Sequence, residues 1–197
     1  MIKKICLALA GLMLGLGLNG PSASGGELED LFSTVLALKI ERKGYMLCKT
    51  LTPAQKKVAR ENMQTAASDK VYKFSDNGLN IVADRATDRV LVIYRQFENM
   101  GREQVQDLVG ELFMAYEDPT VSAHDKVVYW AWGKKGKFTA EQFDTAKEKK
   151  RKLAILATVK LNSEVNILDK TGTDGPDTGN AYYIISSDPL LRFFQDG

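Results

Sequence analysis

Cys48, His124 and Asp125 are the side chains whose types offer nucleophilic chemistry in this chain. A thiolate attacks an acyl carbon when an imidazole takes its proton and a third group orients the ring. The spacing argues against that set. Asp125 is the sequence neighbour of His124, a poor position from which to orient its ring. Cys48 follows Tyr45, Met46 and Leu47, an apolar setting that favours a buried, neutral thiol. His124 follows Val121-Ser122-Ala123 in what reads as a solvated polar loop. A small thiol hydrolase using Cys48 and His124 is therefore an alternative rather than the leading expectation. One histidine and two cysteines cannot build the usual four-ligand structural zinc site. G-x-S-x-G, S-x-x-K, H-E-x-x-H and P-loop patterns are all missing, and no cofactor is expected.

Oxygen ligands crowd the segment from Asp169 to Asn180. Asp169, Asp174 and Asp177 are its candidate metal ligands, since calcium takes six to eight oxygens. The spacing departs from an EF-hand loop, and the same composition suits any long turn.

Two segments offer binding chemistry. Lys134, Lys135, Lys137, Lys149, Lys150, Arg151 and Lys152 belong to a tract whose charge suits an anionic envelope surface or an acidic partner. The same cations also complement a helix C-terminus and guard an apolar strand against aggregation. Trp130 and Trp132 share one face of a predicted strand, where they either fill the core or line a contact patch.

The elements that must position these groups follow from composition and periodicity. The chain has 197 residues and a formal charge of +2. Residues 1–24 have the anatomy of a cleaved secretory signal peptide: Lys3-Lys4, an apolar run from Ile5 to Leu18, a break at Asn19-Gly20-Pro21, and small residues at Ser22 and Ser24. Cys6 lies inside the apolar run, which does not suit lipidation at the cleavage site. Without the leader, basic and acidic side chains balance, so nothing draws the chain to nucleic acid. Cys48 then stands alone. No transmembrane segment is expected after signal removal, and the protein is expected to be periplasmic or secreted.

Residues 25–197 read as a single α+β domain, a mostly antiparallel sheet with helices packed on one face and an N-terminal helical pair. The pair is 27–40, with Leu28, Leu31, Phe32, Val35 and Leu36 in one stripe, and 52–67, opened by Thr52-Pro53-Ala54-Gln55 as a capping box. A three-stranded meander follows over 71–97, turning at Asn77-Gly78 and at 85–88. A helix over 102–116 carries Val105, Leu108, Val109, Leu112 and Phe113 toward the sheet. Then come a strand at 126–132, a helix capped by Thr139 and Gln142, strands at 153–161 and 182–186, a short one at 165–168, and a terminal helix from Asp188.

Met100-Gly101-Arg102-Glu103-Gln104-Val105, with Leu108 to Gly110 behind it, resembles the helix opening of small outer-membrane assembly lipoproteins of helix-helix-sheet fold. The resemblance spans about a dozen residues, lacks the lipobox, and carries no role to any side chain.

The leading expectation is a non-catalytic binding or accessory protein, exported, with an unknown envelope protein or anionic surface as partner. A second alternative is a small-molecule-binding, sensor-like domain with its pocket between the sheet and helix 102–116.

Overall fold

Period-two alternation lays down one large sheet, and every strand pairing among the described residues is antiparallel. The computed structural model describes residues 25–66, 68–167 and 176–195. Strands β4 (Val71–Asp76), β5 (Leu79–Asp84) and β6 (Val90–Gly101) form the expected meander, with the short β3 (Met63–Gln64) on its edge. Strands β7 (Val121–Ala123), β8 (Val127–Gly133) and β10 (Ala157–Ser163) form the other half, with β9 (Gly136–Lys137) beside β8. The last strand, β11 (Thr178–Ser186), lies between β6 and β10, so the order is β3-β4-β5-β6-β11-β10-β8-β7.

This insertion builds one continuous apolar row across six strands. Phe74 pairs with Ile81, Ile81 with Ile93, Ile93 with Ile185, Ile185 with Val159, and Val159 with Trp130. All six side chains are fully buried. Helix α3 (Arg102–Tyr116) follows β6 directly and lies over this face. Its Val105, Leu108, Val109 and Leu112 are buried, and its Phe113 and Tyr116 rings meet Trp130 at 5.6 and 6.0 Å.

Helix α2 (Pro53–Glu61) and helix α4 (Ala140–Glu148) start at the capping boxes read from Thr52/Gln55 and Thr139/Gln142. Helix α1 (Gly25–Leu36) packs on α5 (Asp188–Gln195) through Phe32 and Phe194. None of the helices among the described residues is long and apolar enough to cross a membrane.

Several boundaries differ from the sequence reading. Helix α1 stops at Leu36 rather than residue 40, because Lys39 turns left-handed (φ 54°) to start a hairpin. That hairpin, β1 (Glu41–Arg42) and β2 (Tyr45–Met46), turns on Lys43 and Gly44, both at positive φ. Two such residues make the tight turn that suits strand twist. Helix α2 ends at Glu61, not near 67. The strand read from Leu153 begins at Ala157, where its partner β8 runs out at Trp132. Val165 and Ile167 are buried but join no strand; Leu168 lies outside the described residues.

The buried row implies a steep cost for truncation at its centre. Ile185→Ala is expected to lose 2–5 kcal/mol of stability in urea unfolding. Gln96→Ala, exposed on the same sheet, is expected to stay within about 0.5 kcal/mol.

Candidate functional site

The register that builds the core row also builds the floor of a cleft. Two residues further along β6 from Ile93 stands Arg95, paired with Tyr183 of β11. Side chains two apart on a strand share a face, so Arg95, Phe97 and Tyr183 lie on the same side as the core row. Arg95 interrupts an otherwise apolar strand face with a charge. Its guanidinium sits 4.6 Å from the Phe97 ring and lies against Gly78 in the β4–β5 turn. Gly78 has φ 79°, a conformation that favours glycine, and a Cβ there would stand 3.2 Å from that guanidinium and press on it.

The walls are α3 and the β1–β2 hairpin. Helix α3 is fastened at its C-terminal end: Trp130 Nε1 donates to the Glu117 carbonyl at 2.8 Å, and Lys137 Nζ donates to the Tyr116 carbonyl at 2.7 Å. The hairpin is fastened to α3 in turn. Tyr116 Oη donates to the Glu41 carbonyl at 2.7 Å, and Arg42 pairs with Glu111. Tyr45 Oη, at the hairpin's far side, donates to Asp76 at 2.7 Å. These contacts tie the hairpin to the C-terminal half of α3 and leave a cleft of about 180 Å³ over β6 and β11.

Arg42, Lys43, Arg95 and Tyr183 face Gln104, Asp107 and Glu111 across this cleft, with Phe97, Met100 and Leu108 as its apolar lining. The Arg42 side chain is 10% exposed and pairs with Glu111 through one terminal nitrogen. Its guanidinium stands 5.4 Å from the ring of Tyr183; burial opposes its charge, and the bonds to the Tyr183 hydroxyl and to Glu111 outweigh that effect and raise its pKa. Arg95 is the guanidinium of the cleft with no ion pair among the described residues.

None of the candidate catalytic, binding or metal residues read from the sequence lines this cleft. Trp130 is fully buried and Trp132 is 9% exposed, both against α3, so they belong to the core and not to a contact patch. Lys137 is tied to Tyr116 and Glu117 and serves as an anchor for α3. Lys134, Lys135, Lys149, Lys150, Arg151 and Lys152 are exposed, and their charges have no ion-pair partner among the described residues. Asp169 and Asp174 lie outside the described residues, and Asp177 is exposed. No group of three or more His, Cys, Asp or Glu side chains suited to a metal occurs among the described residues.

Cys48 and His124 are kept apart. The Cys48 amide bonds the Val90 carbonyl at the start of β6, whereas His124 sits exposed in the β7–β8 turn. Three strand spacings and the length of β8 separate them, on the order of 20 Å. Burial pushes the Cys48 thiol up to about 12, opposite to the depressed value a nucleophile needs. The geometry therefore gives the thiol hydrolase reading neither a base nor a thiolate.

Scanning family models finds none that matches the chain, and searches of curated proteins and of solved structures find no match either. The residues of the cleft thus carry the functional argument by themselves. One signal for them was present in the sequence: Leu91, Ile93, Arg95 and Phe97 alternate, which turns a charge toward the core.

The buried thiol sets a pH dependence. Below its ordinary value of 9.0, Cys48 is protonated in both the folded and the unfolded chain and contributes nothing. Above that value the unfolded thiol ionises while the folded one stays neutral. Stability is therefore expected to fall between about pH 9 and 12, by up to about 1.4 kcal/mol per pH unit from this group. Cys48→Ala is expected to remove that increment in urea titrations across pH. Alkylation of Cys48 is expected only on unfolding, and rapid labelling of the folded protein at neutral pH would contradict its burial.

Proposed function

We propose that this chain is an exported, non-catalytic binding protein that takes a small molecule in the cleft between the sheet and α3. The observation that carries this reading is a cleft of about 180 Å³ in which Arg95, without an ion pair among the described residues, stands beside Phe97, Met100 and Leu108. Concave shape, an aromatic and aliphatic lining and a few convergent polar groups are what small-ligand sites share. Catalysis has no support from the same groups. The cleft lining holds no histidine, cysteine or serine, and its carboxylates stand on one helix wall. Attachment of α3 and the hairpin through buried contacts gives the cleft a preformed geometry, which lowers the ordering cost of binding.

A thermal-shift screen of small charged and neutral fragments tests the reading. A ligand at about 100 times its dissociation constant is expected to add about 2.7 kcal/mol of stability. Asp107→Trp, a change at an exposed position on the cleft wall, is expected to abolish that gain while leaving the unliganded protein as stable as before. A screen in which no fragment stabilises the protein, or in which Asp107→Trp changes nothing, would overturn the cleft as its binding site.

A second reading is favoured by the tract Lys149-Lys150-Arg151-Lys152, whose four exposed cations follow α4 without ion-pair partners among the described residues. It gives the protein an anionic envelope surface as its partner. Co-sedimentation with phosphatidylglycerol vesicles is expected at low salt and lost at high salt, as exposed charges are screened. Replacing the four cations by Gln is expected to abolish it, and absence of binding at low salt would remove this reading.

A further inference from the structure

The sheet has a second face, turned away from the cleft. One residue along each strand from the core row stand Ser75, Asn80, Tyr94, Ile184, Lys160 and Tyr129, and the same ladders pair them in that order. Alternation points all six away from α3. The core row is fully buried, whereas every member of this row is part-exposed. Beside it run Gln96, Tyr182 and Asn162, in register with one another and likewise exposed or part-exposed. On its other side the open surface ends at Val92, Ser186 and Ala131, which are buried.

Cations and phenols gather here without a counter-charge. Lys160 Nζ stands 5.4 Å from the centre of the Tyr129 ring, and Lys73 Nζ stands 5.4 Å from that of Tyr94. Neither lysine has an ion pair among the described residues, and neither row holds a carboxylate. Burial opposes the charge of Lys160, and the Tyr129 and Tyr182 hydroxyls outweigh it and raise its pKa, so the ammonium is kept. Tyr94 and Tyr129 lie on strands three spacings apart, which sets the two ammonium groups on the order of 15 Å from each other.

This pattern discriminates among partners. A second copy of the chain would bring lysines against lysines about a two-fold axis. Single-stranded nucleic acid carries a phosphate at every nucleotide, far denser than two cations this far apart. Peptides add a strand at a sheet edge or fill grooves and pockets, and this surface is the centre of the sheet. A sugar chain suits it in each respect. The C–H faces of the rings lie on aromatic and aliphatic side chains, the hydroxyls bond to phenols and amides, and carboxylates a few rings apart meet separated ammonium groups.

We propose that this face is a second binding surface, which takes a strand of acidic polysaccharide with carboxylates spaced along it. The carboxylates meet Lys160 and Lys73, and the sugar rings lie across Tyr94, Ile184, Tyr182 and Tyr129. It lies on the side of the sheet away from the cleft and stands or falls separately from it.

Calorimetry on the whole exported chain tests this with five probes. Hyaluronan octasaccharide and an alginate octamer are the uronate chains, chitohexaose is a neutral chain, and oligothymidylate and polyglutamate are acidic chains of other kinds. At least one uronate is expected to bind at least tenfold more tightly than the last three probes, and more weakly as salt rises. Lys160→Gln and Lys73→Gln are each expected to weaken it severalfold. Both positions are part-exposed, and urea midpoints check that the variants remain folded. Asp107→Trp, on the cleft wall, and replacement of Lys149, Lys150, Arg151 and Lys152 by Gln are expected to leave this binding unchanged. Failure of both uronates to bind, equal binding of chitohexaose, or tighter binding of oligothymidylate or polyglutamate would overturn the proposal. Binding that survives both lysine substitutions, or that is lost with Asp107→Trp or with the four-cation replacement, would sink it as well.

Discussion

Everything in this molecule depends on β11 entering between β6 and β10. Before it pairs, the β3–β6 meander and the β7–β10 half are separate pieces with an open edge each. Unpaired backbone groups at such edges are costly once buried. Closing the gap joins Phe74, Ile81, Ile93, Ile185, Val159 and Trp130 into one row of fully buried side chains. The register that does so has no freedom. A slip of one residue would turn Ile185 and Tyr183 to the opposite face and bring Tyr182 and Ile184 beneath α3. Core and cleft are thus consequences of one pairing, since Arg95 and Tyr183 stand two residues beyond Ile93 and Ile185 on the same strands.

The cleft exists because the sheet face is covered unequally. Helix α3 is pinned at its C-terminal end by Trp130 and Lys137, where its aromatic rings close over the indoles. Beside it the layer is completed by a two-strand hairpin tied to Glu111 and Tyr116, which brings a guanidinium in place of an aliphatic plug. An arginine nine-tenths buried loses the solvation of a charged group, and here the bonds to Glu111 and Tyr183 make up for it, so the charged form stays favoured. Groups held in this way lower the cost of recognition, because their geometry is already set when a ligand arrives.

Local chemistry made much of the fold legible. The Thr52/Gln55 and Thr139/Gln142 boxes start α2 and α4, Asn77-Gly78 turns β4 into β5, and the stripe Val105, Leu108, Val109, Leu112 faces the sheet. Each signal is decided within a few residues, by a cap, a permitted φ or a period. The elements that escaped reading have no such signal. Lys43-Gly44 turns as tightly as Asn77-Gly78, but lysine is not a residue that announces a left-handed turn. The short edge strand β7 forms only because β8 lies alongside, and residues 153–156 fail to extend β10 only because β8 ends. Trp130 and Trp132 could serve a core or a surface until the position of α3 decided between them.

The sequence by itself determined the α+β class, the antiparallel meander, the helix starts and the inward face of the helix over 102–116, because these rest on interactions between near neighbours. Only the tertiary structure decided that Arg42, Arg95, Glu111 and Tyr183 share a cleft and that Cys48 and His124 do not share one. Those four residues come from a hairpin, two central strands and a helix. Their meeting depends on long-range register and on the docking of one hairpin, whose stabilisation comes from burying side chains that no local window contains.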